Sequence, residues 1–151
     1  MIKLAKSDAI ALGKALEGEY RALAGYDRAI RDIGDISPLI RIRDVHALHA
    51  QLLETWHHSY GVPLTRDGQP VHVEPCGDPR RVCAAAIAEE LERIDTCRKL
   101  RATVREANIS AELHNLERAS RDGHLPALRE WARRLGRSST RDAADAKPEI
   151  A

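Results

Sequence analysis

Phenylalanine is absent from this chain, and its whole aromatic content is two Trp and three Tyr. Its apolar interior must therefore come from Leu, Ile, Val and Ala, a composition that points to helices. Cysteine is scarce as well. Cys76, Cys83 and Cys97 cannot all pair with one another and show no CxxC spacing, which argues against a disulfide framework or a zinc ribbon. No apolar run approaches the roughly 18–20 residues of a membrane span. The opening Met-Ile-Lys-Leu-Ala-Lys-Ser-Asp lacks the apolar stretch and cleavage site of a secretory leader, so a cytoplasmic protein with no membrane partner is expected. A net charge of +1 asks for no nucleic acid. No nucleophile–base pair or phosphate-binding loop is visible, and whether the protein is an enzyme stays open.

What is present is a set of helical seams. The length of 151 residues suits one domain with a real core. Leu12, Leu16, Glu19, Leu23, Tyr26, Ile30 and Ile33 recur at steps of 4 and 3, the period of a packed helix face. This first helix is expected to start at a capping Ser7 and to end at Gly34. Ser37-Pro38 opens a second helix that runs to Tyr60-Gly61. Its apolar line of Leu39, Ile42, Leu52/Leu53 and Trp56 carries His46 and His49, three apart and so on one face. The third helix is expected over Pro79 to Ala107, with a seam of Cys83, Ile87, Glu90, Ile94, Cys97 and Val104. A fourth follows Asn108, with Ile109, Leu113, Leu116, Ser120, His124, Ala127 and Trp131, and Pro126 should bend it. The bundle is expected to occupy 1–136, and 137–151 a disordered tail.

Each seam thus holds a metal-capable side chain: Glu19, His46/His49, Glu90 and His124. Glu19 lies twelve residues after Ser7, His49 eleven before Tyr60, and Glu90 eleven after Pro79. At about 1.5 Å per residue these groups reach one height, provided that the stretch from Val62 to Asp78 carries the chain back along the bundle. Carboxylates and imidazoles could then meet in one buried layer. Glu17, Glu89 and Glu92 fall off the seams. Cys83 and Cys97 read as small core residues, and His57, His58 and His114 as surface positions. The basic stretch Arg129 to Arg141 reads as a solvated helix end.

Four segments carry a family resemblance: Glu19-Tyr-Arg-Ala-Leu-Ala-Gly-Tyr26, Leu39 to His49 with Tyr60-Gly-Val-Pro63, Glu90-x-x-x-Ile94, and Ala119 to Leu128. Together they resemble the ferritin-like superfamily, and in particular an uncharacterised group whose last helix has a comparable His-Leu-x-Ala motif. The resemblance implies an all-α, antiparallel four-helix bundle with a long crossover between helices 2 and 3 and a site midway along it. In ferritins and rubrerythrins that site holds two irons, bound by one Glu from helices 1 and 3 and by Glu-x-x-His from helices 2 and 4. Glu19, His49, Glu90 and His124 match family positions, whereas His46 and Arg121 stand where the family has Glu. With two of the four carboxylates missing, one transition-metal ion (iron, zinc or manganese) suits the inventory better than a pair. Tyr26 would be the nearest redox-capable side chain, and Glu117 a substitute ligand. The alternative is a metal-free bundle, or a homodimer of it, in which Arg43 or Arg121 pairs with the buried Glu residues.

Overall fold

The computed structural model describes residues 3–64 and 71–145. These form an all-α architecture of α1 (Lys6–Ile33), α2 (Ser37–Tyr60), α3 (Pro79–Thr103), α4 (Ala107–Arg118) and α5 (Leu125–Asp145), with no strand among the described residues. A π-helical turn over Ala119–His124 joins α4 to α5. The last three segments therefore make one continuous rod, and four rods pack as a helical bundle.

The apolar seams meet in two clusters. One gathers Leu12 and Leu16 of α1, Leu53 of α2, Cys97 of α3 and Leu113 and Leu116 of α4. The other gathers Tyr26, Leu39, Ile42, Cys83, Leu128 and Trp131. Each cluster takes residues from opposite ends of α1 and α2, so these two helices run antiparallel. The start of α3 lies in the second cluster and its end in the first, so α3 runs parallel to α2. The connection after Tyr60 must travel the length of the bundle, as the sequence spacing requires. Its described ends agree. Val62 packs at the first cluster, while the Cys76 N–H donates to Asp32 Oδ2 at 3.0 Å near the end of α1. Residues 65–70 of this link lie outside the described residues. Glycine is needed at two helix ends, where Gly34 (φ 95°) and Gly61 (φ 66°) take backbone angles that an L side chain resists.

Several boundaries differ from the sequence expectation. The first helix begins at Lys6 after Ala5, without a side-chain cap. Ser7 is not the cap. Asp8 is buried instead and accepts from the Arg105 N–H at 2.8 Å, tying the start of α1 to the α3–α4 turn. The third helix stops at Thr103 rather than Ala107 because Glu106 caps the next one, accepting from the N–H groups of Asn108 and Ile109. The expected bend before Pro126 is a π turn, in which the Leu125 N–H reaches back five residues to the Ser120 carbonyl. Pro126 has no N–H to give, and its ring would collide with the Asp122 carbonyl in a regular helix; the extra residue of the turn relieves that conflict. The disordered tail expected over 137–151 is helical as far as Asp145. No proline interrupts 137–145, and Thr140 Oγ1 donates back to the Arg137 carbonyl at 2.9 Å. Residues 146–151 lie outside the described residues. No described helix is long and apolar enough to cross a membrane.

Replacing Asp8 by Ala leaves the Arg105 N–H without its acceptor and should lower unfolding free energy by about 1–3 kcal/mol. Ser7→Ala should change it by less than about 0.5 kcal/mol. Urea denaturation of the two variants gives the comparison, and a larger loss for Ser7→Ala would contradict the observed helix start.

Candidate functional site

Between the two apolar clusters lies a polar layer. Glu19, His46, Glu90 and His124 sit there at 1%, 1%, 0% and 5% exposure, one from each rod. Helical period explains their inward turn. Glu19 continues the line of Leu12 and Leu16, and Glu90 that of Cys83 and Ala86. His124 owes its place to the π turn, which ends on it.

His46 stands at the centre. Its Nδ1 lies 2.6 Å from Glu19 Oε2, and its Nε2 lies 3.1 Å from Glu90 Oε1. His124 Nδ1 is 3.2 Å from Glu90 Oε2, and its ring meets the His46 ring edge-on at 4.9 Å. The Tyr26 hydroxyl donates to Glu90 Oε1 at 2.7 Å, and its ring stacks on His46 with centroids 5.5 Å apart. His49 joins only at the edge, with Nδ1 3.8 Å from Glu19 Oε2.

Of the five residues expected in one layer, four are brought together in the interior and His49 borders them. Two overlapping trios have donor atoms within 4.8 Å of one another: Glu19, His46 and His49, and His46, Glu90 and His124. Either group could hold a metal ion.

The arginines are a different matter. Neither Arg43 nor Arg121 neutralises Glu19 or Glu90. Arg43 pairs with Asp27 and Asp44 at the surface, and Arg121 with Glu117 and Asp122. Arg93 takes that role, with Nε 3.7 Å from Glu19 Oε1 and Nη1 3.4 Å from Glu90 Oε2. The sequence signal for Arg93 is its position three residues after Glu90, which puts both on one face of α3. Arg43, although near the layer in sequence, leans outward on α2 toward exposed acids. Glu117 is no substitute ligand, because Arg98, Arg101 and Arg121 hold both its oxygens. His57 is not a surface residue. It is 1% exposed, and its Nδ1 faces the Val62 carbonyl at 3.3 Å, because the chain folds back over it after Gly61.

The electrostatics follow from these contacts. Burial opposes ionisation of Glu90, yet hydrogen bonds from His124 and His46, aided by Arg93, hold its carboxyl far below the usual range. Burial likewise opposes a charged His46, but the bonds to Glu19 and Glu90 outweigh it and raise the imidazole above its ordinary value. His49 is lowered, chiefly by burial, although Glu19 pulls the other way. Tyr26 is pushed up by burial and by the Glu90 carboxylate, so it stays a phenol and a donor. Cys97 beside the layer is pushed up to about 12, first by burial, and is an inert thiol.

No family model matches this chain, and no curated protein is significantly similar to it. Among solved structures, it is similar to the crystal structure of a hypothetical protein from Methanococcus jannaschii. The two share 15% sequence identity with a TM-score of 0.79, over 90% of this chain and 85% of the other. That likeness concerns the all-α fold.

Arg93→Met would leave two buried carboxylates short of a counter-charge and should destabilise the fold by about 3–5 kcal/mol. Arg43→Met, which breaks only surface pairs, should leave stability nearly unchanged. Equal losses in thermal or urea unfolding would mean that Arg93 does not offset the acids. A second expectation concerns pH. Burial pushes Glu117 up, but Arg98, Arg101 and Arg121 outweigh it and hold the carboxyl below its ordinary 4.5. The stability this contributes is complete above that value and is lost as pH falls through the folded-state pKa. Glu117→Gln should therefore flatten the stability–pH profile below about pH 4.5; an unchanged acid limb would count against the pairing.

Proposed function

We propose that the protein is a ferritin-like metalloprotein that binds one transition-metal ion at His46, Glu90 and His124. The observation that carries this reading is the convergence of imidazole, carboxylate and imidazole in a dry layer. His46 Nε2 lies 3.1 Å from Glu90 Oε1 and His124 Nδ1 3.2 Å from Oε2, and one donor atom from each of the three residues falls within 4.8 Å of the others. The surrounding groups suit it too. Glu19 accepts from His46 Nδ1 at 2.6 Å, which leaves Nε2 as the nitrogen that would take a metal in place of its proton. A carboxylate that fixes the tautomer of a ligand histidine is a recurring outer partner of metal sites. The Tyr26 hydroxyl steadies Glu90 in the same way.

Arg93 explains the nuclearity. Its guanidinium touches one carboxylate from each trio and brings the positive charge that a second ion would otherwise supply. With both Glu residues shared between Arg93 and His46, one ion is the load this layer can balance. Two imidazoles and one carboxylate suit iron, zinc or manganese, and three protein ligands leave coordination positions for an outside molecule. Such an ion supplies Lewis acidity or, if redox-active, electron transfer. A cytoplasmic setting, where thiols stay reduced, suits the free Cys76, Cys83 and Cys97.

A second reading has its own observation. With His46 protonated and Arg93 charged, two cations already face Glu19 and Glu90, and the layer closes as a metal-free polar network. Elemental analysis of untagged protein purified without chelator separates the two. The metal reading expects about one ion per chain, lost in Glu90→Ala and His124→Ala and held about 10–100-fold more weakly in Glu19→Gln. Metal-free protein that melts identically with and without added iron, zinc or manganese would leave the closed network as the answer.

A further inference from the structure

Between α3 and α4 lies a second cluster of charges that the metal reading does not use. The Glu117 side chain is only 3% exposed, and cations take both of its oxygens. Arg98 Nε donates to Oε1 at 2.6 Å and Arg121 Nη1 to the same oxygen at 3.3 Å, while Arg101 Nη1 donates to Oε2 at 3.0 Å. Arg101 also donates to His114 Nδ1. With Nδ1 accepting, the ring N–H is on Nε2, in a side chain 46% exposed. The other carboxylate at this place is Asp122, which pairs with Arg121 and Arg118. Four guanidiniums therefore share two carboxylates, and two positive charges go unmatched.

Like charges held a few ångströms apart repel one another, and Glu117 holds three of them together from beneath. Arg98 and Arg101 each bring one nitrogen to it. Their other nitrogens have no protein acceptor among the described residues, and the side chains are 55% and 34% exposed. Guanidinium forks fixed by a buried carboxylate, with spare donors at the surface, match the geometry of a tetrahedral oxyanion. We propose that Arg98, Arg101 and His114, anchored by Glu117, bind a phosphate group, either free or as the ester of a small molecule. A nucleic-acid backbone fits less well. The cluster is compact rather than a stripe, Lys99 is engaged by Asp95, and the chain as a whole carries only +1.

Calorimetric titration of the full chain with inorganic phosphate, against chloride at equal ionic strength, tests this. One-to-one binding is expected, weakened at least about tenfold in Arg98→Gln and in Arg101→Gln. Glu117→Gln removes the anchor that holds the guanidiniums together and should weaken phosphate binding. If that variant does not fold, Arg98→Lys, which keeps the charge but not the fork, should lose most of the affinity. Glycerol phosphate serves as the ester arm: tighter binding than inorganic phosphate assigns the ester, and equal binding assigns the free ion. A response equal to that of chloride would overturn the site. So would unchanged affinity in both arginine variants, or duplex DNA binding with no response to phosphate. A purely structural cluster would show Arg98→Gln lowering the melting temperature equally with and without phosphate.

Discussion

Two carboxylates in a dry interior set the terms for this molecule. An ionised acid removed from water costs several kcal/mol unless charge and hydrogen bonds are returned to it, and Glu19 and Glu90 are 1% and 0% exposed. Their partners come from three other places: His46 on α2, His124 at the end of the π turn, and Arg93 on the same face of α3 as Glu90. Tyr26 adds a fourth donor from α1. The layer is thus assembled from every rod of the bundle, so that none can shift along its neighbours without exposing an unpaired charge. The apolar clusters on either side exclude water, and the polar layer adds an ionic penalty to any slip of one rod along another.

That dependence runs outward into the topology. Glu90 lies near the middle of α3 (Pro79–Thr103), at the height of Glu19 and His46, and α3 runs parallel to α2 because the long connection after Tyr60 returns the chain to the other end of the bundle. Leu116, Ser120 and His124 recur at steps of four and are all buried, so to keep His124 on the inward line toward Glu90 the last rod must turn less per residue than a regular helix does. The π turn before Pro126 does this. An irregularity that removes a backbone conflict thereby also aims a candidate ligand side chain.

Arg93 and the Glu117 cluster show one motif used to opposite ends. In the interior, one guanidinium serves two carboxylates, and His46 lies between the same two acids. Between α3 and α4, one carboxylate serves three guanidiniums, and positive charge is left over at the surface. The first arrangement closes on itself or, on the reading proposed above, takes a single cation. The second is short of an anion. The local ratio of acids to bases, more than the near-neutral total, decides what each place on this protein can attract.

Much of this was legible in the amino-acid order. Helical period located the four rods and turned Glu19, His46, Glu90 and His124 inward, because a side chain on an apolar seam has nowhere else to point once the seam is buried. Glycines at 34 and 61 and Pro38 marked ends that the backbone respects. What the sequence could not assign were pairings between surfaces that only folding brings together. Arg43, Arg93 and Arg121 all lie close to the layer along their helices, and which of them turns toward the acids depends on rotation of each rod by a fraction of a turn. The burial of His57 depends on the chain folding back after Gly61. The capture of Arg105 by Asp8 joins residues 97 apart, a contact that no local pattern encodes. Periodicity determines which face of a helix is buried; only the packed structure decides what that face meets, because the choice of ionic partner rests on distances of a few ångströms between separate rods.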